Sequence, residues 1–204
     1  MQYVECFRAL ARHRTNEIVI ASAGNSCQAW WAATHDVDAS FYLDASMSLS
    51  TMFASGLALA QPDLKFWAFM GDGAFIMNPG MLMVERQMNL PNLTHFLVSN
   101  RAYGGTSNAD LPNGGGTDYM ALARSIGLDR VYQFTTIEAF ERDFPTLKAS
   151  NAPGHTFVVL EVEPFADEEQ HELEQPPFDG PELKFRFGRH LESITGADIF
   201  GYRI

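Results

Sequence analysis

Cysteine is nearly absent from the 204 residues: only Cys6 and Cys27 occur, with no Cys-x-x-Cys pair. That excludes a disulfide framework and a cysteine-held iron–sulfur site. Basic residues are also scarce, with 14 Lys and Arg against 25 Asp and Glu and a net charge of -11. Such a balance argues against nucleic acid or an anionic membrane surface as a partner. No apolar run approaches the roughly 20 residues of a membrane-spanning helix. Residues 1–12 set Glu5, Arg8 and Arg12 among apolar side chains, which predicts an amphipathic helix rather than a signal peptide. The expected compartment is the cytoplasm. Two phosphate-binding signatures are missing as well, Gly-x-Gly-x-x-Gly and Gly-x-x-x-x-Gly-Lys-Ser/Thr.

What is present is an alternation of short apolar runs with helical stripes. Strands are expected at 17–21, 41–43, 64–70, 93–98, 131–134 and 156–162, and helices at 3–12, 27–34, 47–60, 119–126 and 137–147. Asn25 or Ser26 is expected to cap the second helix, and one helix is expected to fill the crossover from Phe75 to Leu90. The pattern predicts an α/β fold with three layers, a parallel sheet covered by helices on both faces. That domain is expected to span 1–164 and to end at Pro164. Residues 165–204 form an extension with an acidic run at 167–174, a stiff Gln175-Pro176-Pro177 break, and Phe185, Phe187, Ile199, Phe200 and Tyr202 beyond. It is either a flexible tail with a small terminal element or an arm whose aromatics anchor on another subunit.

Two of the expected strands end in oxygen-bearing side chains. The run 64–70 leads into Gly71-Asp72-Gly73, and 93–98 leads into Ser99-Asn100-Arg101-Ala102-Tyr103-Gly104. A carboxylate, an amide oxygen and a peptide carbonyl are hard donors suited to Mg²⁺, which completes its shell with water and phosphate oxygens. Glycines beside Asp72 allow close backbone approach, and a following helix start favours an anion. The residues themselves therefore read as a Mg²⁺-diphosphate site. Gly24-Asn25-Ser26, after the first strand, is read either as a further anion contact or as plain capping. Glu85, Asp118 and Glu161 are read as solvated or structural. His35, His95 and His155 match no metal spacing and are read as structural.

The arrangement resembles a known signature. Gly71-Asp72-Gly73, followed 28 positions after Asp72 by Asn100, is similar to the motif of thiamine diphosphate enzymes, with Ser99 where many relatives have a first Asn and Met81 at an often acidic position. The resemblance implies that Asp72, the Asn100 side chain and the Ala102 carbonyl hold Mg²⁺ on the diphosphate, with Gly71, Gly73, Ala74, Tyr103, Gly104 and Asn25 around the cofactor. It also implies that Ala45-Ser46-Met47-Ser48 stands where relatives read Gly-Ser-Met-Gly or Gly-Thr-Met-Gly. Met47 would then wedge between the cofactor rings, the Ala45 carbonyl would accept from the aminopyrimidine, and Ser46 would lie beside them. Ala45 and Ser48 depart from the family's glycines.

The order Ala45-Ser46-Met47-Ser48-Leu49, Gly-Asp-Gly, Asn-x-x-Tyr-Gly and Thr117-Asp118-Tyr119-Met120-Ala121-Leu122-Ala123-Arg124 resembles the β-type subunit of sulfopyruvate decarboxylase and the related half of phosphonopyruvate decarboxylase. Gly104-Gly105-Thr106-Ser107 resembles the hydroxyl-bearing run near the reaction centre there. The resemblance implies non-oxidative decarboxylation of a short anionic 2-oxo acid. The activating Glu of such enzymes sits on a pyrimidine-binding domain, for which this length leaves no room. A partner subunit, in an α₂β₂-like or larger assembly, is therefore expected to supply it. Alternatives at this point are an acetolactate synthase-like carboligase, a 2-oxoacid oxidoreductase β subunit, disfavoured by the missing cluster cysteines, and a non-catalytic Mg²⁺-nucleotide module.

Overall fold

The computed structural model describes residues 1–43, 45–150, 152–165 and 173–201. Its centre is a six-stranded sheet, all parallel, built from β1 (Ile18–Ser22), β2 (Ser40–Leu43), β3 (Phe66–Gly71), β4 (Leu93–Ser99), β7 (Arg130–Phe134) and β8 (Thr156–Glu161). The spatial order is β2-β1-β3-β4-β8-β7. β1, and nearly all of β3, β4 and β8, are buried on both faces, which is why their sequences are continuous apolar runs rather than alternating ones.

Side chains alternate between two helical layers. Val19, Ala21, Trp67, Phe69, Phe96 and Val158 face α1 (Tyr3–His13), α2 (Asn25–Thr34) and α7 (Ile137–Ala149) in one aromatic-rich core. Ile18, Ile20, Phe66, Met70, Leu97, Phe157 and Val159 face α3 (Ser50–Ala60), α4 (Asp72–Phe75), α5 (Met81–Met88) and α6 (Tyr119–Ser125) on the other side. A short antiparallel pair, β5 (Ala102–Tyr103) with β6 (Ala109–Asp110), projects from the end of β4. No helix of the described residues is long and apolar enough to cross a membrane.

Three local expectations are corrected. The crossover from β3 to β4 holds two helices rather than one, because Asn78-Pro79-Gly80 interrupts it: Pro79 cannot continue the first helical turn. The helix expected from residue 47 begins at Ser50, since Ser48 sits at φ 64 in the left-handed region. Neither Asn25 nor Ser26 caps α2. The helix starts at Asn25 behind Gly24, whose φ of 99 suits glycine.

The described part of the extension folds back on the domain. Helix α8 (Gly180–Thr195) is capped by Asp179, opened by Pro181 and closed by Gly196 in the left-handed conformation. It lays Phe187 and Leu191 into the core beside β2, with Phe187 5.2 Å from Phe41, centroid to centroid. Phe185 stays outside and meets Phe200 at 5.1 Å. Residues 167–172 of the acidic run and Tyr202 lie outside the described residues.

Candidate cofactor and metal site

From β1 the chain crosses to β2 on one side, then passes back over β1 to β3 on the other. This reversal opens a crevice at the carboxyl ends of β1 and β3, the place where open parallel sheets take ligands. A cavity of about 240 Å³ lies there. Asn25 after β1, Gly71, Asp72, Gly73 and Ala74 after β3, Asn100, Ala102, Tyr103 and Gly104 after β4, and Met47 after β2 all line it. Of the residues singled out from sequence, Ser46 and Ala45 do not. The Ser46 carbonyl instead accepts from the Ala23 N–H at 3.4 Å, tying that turn to the end of β1, and Ala45 is exposed.

Asp72 is 1% exposed. Its Oδ1 accepts from the Gly73 N–H at 2.9 Å, and its Oδ2 accepts from the Ser99 hydroxyl at 3.0 Å and the Arg101 N–H at 2.7 Å. Burial pushes the carboxyl up from its ordinary range, while the Arg101, Ser99 and Gly73 donors hold it back. The Asn100 Oδ1 accepts from the Ala102 N–H at 3.3 Å, which folds the turn over its own side chain.

Close packing fixes the glycines. A Cβ on Gly104 would stand 2.4 Å from Nδ2 of Asn25 and 2.9 Å from Nδ2 of Asn100, and one on Gly73 would stand 2.7 Å from the Tyr103 ring. Both positions therefore let backbone and amides converge on the cavity. Helix α4 begins at Asp72 itself and runs only four residues, so the anion-favouring helix start expected there is short.

Sequence reasoning missed the strut behind this turn. Arg101, at φ 61, donates through its guanidinium to the carbonyls of Gly114 and Thr117 at 3.0 and 2.6 Å and pairs with Glu161. It also lies over the Tyr119 ring, 4.8 Å from the centroid. The contact forms because Ser99 and Glu161 are register partners at the ends of β4 and β8, which no local sequence pattern shows. Asp118 proves structural, capping α6 through the Ala121 N–H. Glu85 is not solvated; it is 1% exposed and meets His95 and His155.

The donor set suits a hard divalent ion: a buried carboxylate, an amide oxygen and a peptide carbonyl on one cavity wall, with glycines that keep the approach open. Residues 23–162 match the family described as thiamine pyrophosphate enzyme, C-terminal TPP binding domain. The chain is 30% identical over 171 residues to the sulfopyruvate decarboxylase subunit beta of Methanocaldococcus jannaschii, covering 84% of this chain and 86% of that one. It is 29% identical to the subunit beta of Methanococcus maripaludis, covering 78% and 83%. A sulfopyruvate decarboxylase of Methanosarcina acetivorans is 27% identical over 74% of this chain but only 38% of its own length. Among solved structures, the thiamine diphosphate-dependent 4-hydroxybenzoylformate decarboxylase of Rhodococcus jostii RHA1 superposes with a TM-score of 0.67 at 19% identity, over 80% of this chain. The chain spans about a third of that enzyme, 33% of its length. With the sheet order, the crevice and the match over 23–162 in agreement, the chain belongs to the thiamine pyrophosphate enzyme family and carries its C-terminal TPP-binding domain.

Proposed function

We propose that the chain is the diphosphate-binding subunit of a heteromeric, thiamine diphosphate- and Mg²⁺-dependent enzyme that non-oxidatively decarboxylates a short anionic 2-oxo acid of the sulfopyruvate or phosphonopyruvate kind. The observation that carries this reading is the convergence of Asp72, Asn100 and Ala102 on one cavity with Met47 on its wall. The coenzyme, when bound, supplies both the nucleophile and the electron sink for cleaving the bond to the carboxyl group.

Everything else is binding and orientation. The Asp72 carboxylate, the Asn100 amide oxygen and the Ala102 carbonyl would hold Mg²⁺ beside the diphosphate. The glycines at 73 and 104 make room for the Tyr103 ring and for the Asn25 and Asn100 amides, and Asn25 would meet the phosphates. Met47, 40% exposed on the cavity wall, would be the apolar wedge against the cofactor rings, and the carbonyl of Ala45, which lies outside the cavity lining with Ser46, would have to turn inward to receive the aminopyrimidine. Among the described residues the cavity wall holds no Glu, and in this reading a partner chain would supply the carboxylate that drives the pyrimidine.

That partner has a surface to meet. Met47, Leu49, Phe53, Met77, Met83 and Val84 are all exposed apolar side chains, carried by the segment entering α3 and by the α4–α5 region packed beside it. Residues 1–164 carry the cofactor role in this reading, and 165–204 add to the partner face through exposed Phe185, Ile194 and Ile199.

The test is calorimetric titration of thiamine diphosphate into the chain with and without Mg²⁺, for wild type and Asp72→Ala. Binding that requires both Mg²⁺ and Asp72 supports the reading; binding indifferent to both sinks it. Co-purification of a partner and a screen of 2-oxo acids for CO₂ release then identify the substrate. Full activity from the isolated chain would overturn the partner requirement.

A further inference from the structure

Three side chains with no part in that reaction meet toward the amino ends of two interior strands. His95 lies early in β4, His155 immediately precedes β8, and Glu85 lies within α5. All are buried, at 0%, 2% and 1% exposure. Oε2 of Glu85 is 3.0 Å from Nδ1 of His95 and 2.8 Å from Nε2 of His155, and the three donor atoms lie within 4.8 Å of one another. The rings of Phe75 and Phe157 wall off His95, 6.3 and 4.9 Å from it. Among the described residues, the ion-pair partners of Glu85 are these two imidazoles and no Lys or Arg.

A carboxylate buried with no Lys or Arg beside it needs other partners to offset its burial. Two further observations point to what is missing. Oε1 of Glu85 has no hydrogen-bond partner among the described residues. Nε2 of His155, although 2.8 Å from the carboxylate, lacks the alignment of a hydrogen bond. Of the two imidazoles only His95 hydrogen-bonds the carboxylate, through Nδ1; an ion at the centre would give Oε1 and the His155 nitrogen the partner they lack.

We propose that Glu85, His95 and His155 form a second, structural metal site for a divalent transition ion, Zn²⁺ being the best match. Two imidazole nitrogens and one carboxylate oxygen form the His₂Glu set, three ligands of the type that Zn²⁺ takes, with a water completing four-coordination. The same donors are too nitrogen-rich for Mg²⁺, which belongs with the oxygens around Asp72. The ion pins α5, β4 and β8 together at the amino ends of the strands, opposite the carboxyl ends where the cavity lies.

The experiment uses the untagged full-length chain. After exchange into chelator-treated buffer, one equivalent of Zn²⁺ is supplied, the excess is removed, and bound metal is counted by mass spectrometry. Co²⁺ is titrated in parallel for the visible bands of a tetrahedral N/O site. Wild type and Asp72→Ala should both retain about one ion per chain, show the bands and melt at higher temperature with Zn²⁺. Glu85→Gln and His155→Gln should lose the ion and the bands. If either variant fails to fold by circular dichroism, the wild-type titration decides alone. A folded wild type that retains no Zn²⁺ and shows no tetrahedral Co²⁺ spectrum overturns the proposal, as does an unchanged spectrum in folded His155→Gln. Because Asp72→Ala keeps this site while losing the coenzyme site, the two readings fail separately.

Discussion

The Ser99 hydroxyl donates to Oδ2 of Asp72 over 3.0 Å, joining the ends of two adjacent parallel strands at the floor of the cofactor cavity. Ser99, where the resemblance in sequence expects the first of two asparagines, is here a direct donor to the proposed metal-binding carboxylate. Ser99→Ala removes one of three donors from a buried charge. The expected cost is about 1–2 kcal/mol of stability, measured by urea denaturation, with Mg²⁺-dependent coenzyme binding weakened but present. Complete loss of binding would mean that Ser99 touches the ligand itself.

Asp72 should make the empty chain less stable as pH rises. Burial lifts its folded pKa above the unfolded value. The stabilising contribution is therefore full below the ordinary carboxyl range near about 4 and is lost as pH climbs through the raised folded value. Asp72→Asn removes this titration. In melts without Mg²⁺ and coenzyme, the difference between variant and wild type should shift in the variant's favour from pH 4 to pH 7. With Mg²⁺ and coenzyme added, only wild type should gain. A difference that does not change with pH would show that the carboxyl is not strained by burial.

Gly104→Ala should spoil the site while leaving the fold intact. The added methyl would press on the amides of Asn25 and Asn100, at 2.4 and 2.9 Å. Overpacking of this kind costs about 1–3 kcal/mol. The displaced Asn100 should lower coenzyme affinity well beyond what the stability change predicts. Unchanged affinity by titration would contradict the convergence of the two amides on the cofactor.

Phe187→Ala tests whether the extension belongs to the core. Phe187 is 3% exposed and packs on Phe41, so truncation should cost about 3–5 kcal/mol in chemical denaturation. Phe185, half exposed on the same helix, should tolerate alanine within about 0.5 kcal/mol. Equal, small effects at both positions would mean that α8 does not hold to the sheet in solution.

Much of the scaffold was legible because buried parallel strands write themselves as unbroken apolar runs, and because Gly71-Asp72-Gly73 and Asn100 mark their ends. The register then follows from topology, and Asp72 and Asn100 share a cavity as expected. What stayed hidden are contacts between distant segments. Glu161 supports Arg101 across 60 positions, and no local pattern announces that. His95 and His155 are 60 apart in sequence and reach Glu85 only because β8 docks beside β4. Phe187 looked like one aromatic among several, since an i, i+4 stripe does not say which sheet edge it will cover. The late start of α3 escaped because Met47 and Ser48 continue its apolar and small-residue pattern, while the left-handed Ser48 stops the helix from reaching them.

The Arg101–Glu161 pair makes the turn after β4 depend on a strand that comes much later in the chain. The bracing carboxylate lies 60 positions further along, so a polypeptide stopped short of β8 would carry Gly71-Asp72-Gly73 and Asn100 without the prop that holds Arg101.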